Sequence, residues 1–96
     1  MPKNVDEAFF NRADAHIQLS NDQMAQVSAG KVSASMLFGT SRFNAWVSAC
    51  GVKDGAEMAE KKVETIKYFV GEFEKMLDEN LDDYIQNFAA YMSPAP

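Results

Sequence analysis

Ninety-six residues and 10.7 kDa fit one domain, and the balance of 47% hydrophobic to 24% charged residues is that of a globular chain rather than a disordered or fibrous one. Five Gly and three Pro are too few for a many-stranded β protein, the single Cys excludes a disulfide scaffold, and no Cys/His grouping suits a structural zinc. The formal charge of −5 disfavours nucleic acid, whose phosphates are bound by clustered cations, and no apolar run is long enough for a membrane span.

Punctuation divides the chain into three helical segments. The first is expected over about Val5–Ser28, with Asn4 as N-cap and Glu7 completing a capping box. Phe10, Ala13, Ile17, Ser20, Met24 and Val27 follow the 3,4 spacing of one helix face. Gly30 then offers a stop, since glycine takes the left-handed C′ conformation freely. The second segment is expected over about Ala34–Cys50, with Ser33 as N-cap and Val32 stapled to Leu37. Met36, Phe43, Val47 and Cys50 line its face, Trp46 sits at the edge, and Gly51 ends it. Gly39, beside that face, predicts close approach of a neighbouring helix.

Asp54-Gly55-Ala56-Glu57 opens the third segment with another capping-box pattern. Its face runs through Val63, Ile66, Val70, Phe73, Leu77, Leu81, Tyr84, Phe88 and Tyr91 without losing phase. Asn80-Leu81-Asp82-Asp83 reads as a fresh N-cap with first-turn acids, which favours a break near Asn80 and four helices. The competing reading is one rod through Met92, about 57 Å long at 1.5 Å per residue, whose overhang would need a second subunit. No stretch alternates as a strand does, so the expected fold is all-α: a small antiparallel helical bundle forming a single domain over 1–96, ordered over about 5–92. The last residues, 93–96, are expected to fray.

Three stretches carry a resemblance: Phe10-Asn11-Arg12-Ala13-Asp14-Ala15; Gly30 to Ser35 continuing to Arg42-Phe43-Asn44-Ala45-Trp46; and Glu79-Asn80-Leu81-Asp82-Asp83-Tyr84. Together they resemble a family of small proteobacterial proteins catalogued as domain of unknown function 3144. The resemblance implies a bacterial, all-helical, single-domain protein. It brings no established activity and no catalytic residues.

Chemistry is sparse. His16 has no carboxylate three or four positions away on its helix, so it lacks metal-ligand spacing. A Cys50–His16 pair would make chemical sense, but a half-buried helix histidine and a small apolar core cysteine are the simpler expectation. Asp14 and Asn44 lie on the shoulders of the first two apolar faces and are the candidate buried polar residues, with Arg42 a further candidate for a contact fixing helix register. The carboxylates of the third segment face outward by periodicity, where they lack the water exclusion that acid–base catalysis needs.

The expected function is therefore contact rather than catalysis, with no cofactor and no metal. No Lys or Arg follows Lys75, whereas Asp78, Glu79, Asp82 and Asp83 do. With Tyr84, Ile85, Phe88 and Tyr91 as apolar anchors, these acids form the candidate interaction surface for a protein partner or for self-association, the chain being a monomer or a homodimer. The alternative is a small-molecule binder with an apolar pocket between helices, lined by Trp46, Phe43 and Met36. The N-terminal Met-Pro-Lys-Asn-Val-Asp-Glu has no apolar h-region, and with one free cysteine a cytoplasmic location is expected.

Overall fold

The computed structural model describes residues 5–93. It contains α1 (Phe9–Gln23), α2 (Ala29–Cys50), α3 (Gly55–Glu60), α4 (Lys62–Gln86) and α5 (Phe88–Met92), and no strand among the described residues. The all-α fold and its three long helices, of 15, 22 and 25 residues, follow the expected pattern. No helix among the described residues is long and apolar enough to cross a membrane. The described residues form two compact units, 5–58 and 59–93, and α3 lies across their division.

In the first unit, Asp6 sets the start of α1. Its Oδ1 accepts from the Ala8 amide at 3.0 Å and its Oδ2 from Arg12 Nη2 at 2.9 Å. The carboxylate thereby directs the chain into the helix, and α1 starts at Phe9 rather than Val5. Asn4, the expected cap, lies outside the described residues. Arg12 holds the Asp6 carboxyl below its ordinary pKa, first through the hydrogen bond.

The junction of α1 and α2 departs from expectation. Ser28 is extended and its side chain accepts from the Lys31 amide, so α2 begins at Ala29, five positions before the predicted start. Ser28 therefore performs the capping assigned to Ser33. Gly30, read as a stop, lies in the first turn of α2, where its helix penalty is about 1 kcal/mol and is offset by the cap directly before it. The Val32–Leu37 staple does not form: Val32 is the one buried residue among those described, while Leu37 stays exposed. Near the joined ends, Ser20 Oγ lies 3.5 Å from Met36 Sδ. The far end of α2 is as predicted, with Gly51 as C-cap, and Asp54 Oδ1 accepts from the Glu57 amide at 2.9 Å to open α3.

In the second unit, α4 runs unbroken through Asn80. Asparagine inside a helix costs less than about 1 kcal/mol relative to alanine, and Leu77, Leu81 and Tyr84 keep the apolar phase across it. The interruptions fall instead at Lys61 and Asn87, so neither a break at Asn80 nor a single rod through Met92 is realised.

Gly39 has nothing within 4 Å of where a Cβ would stand, so the expected close helix approach is absent. Gly39→Ala is then predicted to stabilise the protein by about 0.5–1 kcal/mol in urea unfolding. A destabilised variant would show that something packs on this position in solution.

Candidate interaction surface

A helix with polar residues on one side and apolar residues at 3,4 spacing on the other normally buries the apolar side. In α4 that side is the stripe Val63, Ile66, Val70, Phe73, Leu77 and Leu81, and no residue of the helix is buried. The six stripe residues are between 44% and 64% exposed. Scattered surface leucines need no explanation, but a contiguous apolar band along about five turns of helix marks a contact surface.

The predicted anchors Tyr84, Ile85, Phe88 and Tyr91 are all exposed, as are the acids Asp78, Glu79, Asp82 and Asp83. Ile85 and Phe88 are the freest anchors. Asp83 and Tyr91 instead organise the tip of the unit itself. Asn87 Nδ2 donates to the Asp83 carbonyl and to Asp83 Oδ1, both at 3.0 Å. The Tyr91 hydroxyl donates to both Asp83 carboxylate oxygens at 3.1 Å. The Tyr84 and Tyr91 rings meet edge to face with centroids 4.9 Å apart. Asp83 thus ties α5 to the end of α4, and the hydrogen bond to it raises the Tyr91 phenol above its ordinary pKa. The four-residue spacing from Asp83 to Asn87 is a legible sequence signal. The Tyr91 contact is not, because it depends on the interruption at Asn87.

The other candidates lie in the first unit. Asp14 is exposed and Asn44 half-buried, and no hydrogen bond or ion pair among the described residues joins either of them to Arg42. The Asn44 carbonyl accepts from Ser48 Oγ at 2.8 Å, a bond local to α2. His16 and Cys50, expected half-buried and buried, are both exposed. Phe38, Gly39, Arg42, Phe43, Ala45 and Trp46 line an open trough, with the Phe43 and Trp46 rings 5.7 Å apart. All six belong to α2, and Met36 is not among them. One helix face cannot enclose most of a ligand's surface, as a small-molecule site does. Among the described residues, no group of three or more His, Cys, Asp or Glu side chains is placed to hold a metal ion.

The sequence model of a family described as "Protein of unknown function (DUF3144)" matches residues 9–85. A solved structure, the NMR structure of the protein NB7890A from Shewanella sp, is similar at 34% identity with a TM-score of 0.77, covering 98% of this chain and 100% of that one. No curated protein matches.

The Asp83 contact has a pH signature. A phenol raised by its hydrogen bond to a carboxylate stabilises the tip below the ordinary tyrosine pKa, and that contribution is lost as pH rises through the raised value. Titration by NMR is predicted to place Tyr91 above an ordinary tyrosine, and Asp83→Asn to bring it back down. A Tyr91 titration unchanged by that substitution would contradict the contact.

Proposed function

Since the chain belongs to the DUF3144 family, which prescribes no activity, we propose from its geometry a non-enzymatic cytoplasmic protein that acts by protein–protein contact through α4. One observation carries this reading: a 25-residue amphipathic helix whose apolar stripe its own unit leaves uncovered, each stripe residue being about half exposed. Such a helix draws most of its stability from packing that stripe against something, so its sequence pattern is that of a surface awaiting an apolar partner. The acids of its last turns supply the charged border of a binding patch. The residues best suited to chemistry, His16 and Cys50, stand exposed on helices, and a free cysteine suits a reducing compartment.

Val70→Glu places a charge in the middle of the stripe. The contact reading predicts that association, followed by sedimentation, is abolished while α1 and α2 stay helical by NMR. If the same substitution instead unfolds the isolated chain at a cost of several kcal/mol, as burying an unpaired charge in a core does, the stripe belongs to a monomer core and the reading fails.

A further inference from the structure

The stripe of α4 has a symmetry that bears on what covers it. An axis placed between Phe73 and Glu74, perpendicular to the helix, sets Val63 level with Tyr84, Ile66 with Leu81 and Val70 with Leu77. The apolar spacing therefore reads almost the same from either end, which is what an isologous contact between two identical helices requires.

The charges point the same way. Residues 61–70 carry three lysines and one glutamate, whereas residues 71–86 carry six acids and one lysine. That single lysine, Lys75, already lies 3.5 Å from Glu72 on its own helix. A parallel pair would stack basic end on basic end and acidic end on acidic end. An antiparallel pair sets each basic end beside an acidic one, with Lys67 flanking the stripe on the same side as Asp78 and close to its level across the axis. The exposed halves of the stripe side chains and their flanking methylenes amount to on the order of 600 Å² per copy. Doubled, this reaches about the 1,200 Å² at which specific interfaces begin.

We propose that α4 is covered by α4 of a second copy of this chain, antiparallel about a two-fold axis between Phe73 and Glu74. The proposal rests on α4 being a contact surface and adds the identity of the occupant. An interface at the lower end of the range for specific contacts fits a dimer that dissociates on dilution, so its mass depends on concentration.

Sedimentation of the full chain from about 1 to 300 μM tests it. The expected result is a mass rising towards twice 10.7 kDa. Lys67→Glu and Asp78→Lys should each weaken the dimer about tenfold, since each disturbs two symmetry-related pairs. The two substitutions combined in one chain should restore most of the loss, because the swapped charges meet again across the axis. Phe73→Glu should leave only monomer. A dimer whose affinity neither single substitution moves, or a combined variant no tighter than the single ones, overturns the antiparallel arrangement. A mass of 10.7 kDa at every concentration overturns the dimer, and an apolar fluorescent dye added to that sample then separates two failures. Dye that binds and is lost in Phe73→Glu leaves α4 a contact surface for a foreign protein, whereas no dye binding removes the contact reading as well.

Discussion

An amphipathic helix in water has one requirement above the others: its apolar stripe has to be taken out of solvent. Forming an isolated helix costs nucleation entropy that its backbone hydrogen bonds barely return, so most helical stability in proteins comes from packing. In this chain the requirement falls hardest on α4, 25 residues long with no buried side chain. The continuity of α4 through Asn80 and the use made of its acidic end both follow from that one constraint. The stripe stays in phase because a break would divide the surface that has to be covered.

The two ends of the second unit respond to different forces. Along the body of α4 the apolar residues are exposed and unspecialised, suited to a broad contact. At the tip, a single carboxylate does local work: Asp83 accepts from the side chains of Asn87 and Tyr91 and fixes α5 to the end of α4. The acidic stretch from Asp78 to Asp83 is therefore not uniform. Asp83 is committed to the fold, while Asp78 and Asp82 are exposed, Asp78 flanking the stripe.

Much of this is legible in the sequence. The all-helical class, the stop at Gly51, the cap at Asp54 and the phase of the α4 stripe all rest on local chemistry that acts over three or four residues. What escaped were competitions between equal signals and contacts across interruptions. Ser28 and Ser33 both qualify as N-caps, and only the turns of residues 24–27 decide for Ser28. Asn80 followed by two acids reads as a helix start, yet the cost of asparagine inside a helix is too small to oppose a continuous apolar phase. Gly39 suggested a close neighbour, and open space is found there. Asp14 and Asn44 could be placed on helix shoulders by periodicity, but periodicity does not say whether anything packs over a shoulder. The Asp83–Tyr91 bond spans eight residues across the interruption at Asn87, beyond any helical spacing rule.

The account turns on the α4 stripe being closed between chains. Isotope-filtered NOE spectroscopy on a mixture of labelled and unlabelled protein, prepared well above the dimer dissociation constant, reads this directly. Contacts from the Val70 methyls of one chain to the Leu77 methyls of another are the predicted result. A spectrum in which every contact of these methyls stays within a single chain would contradict it.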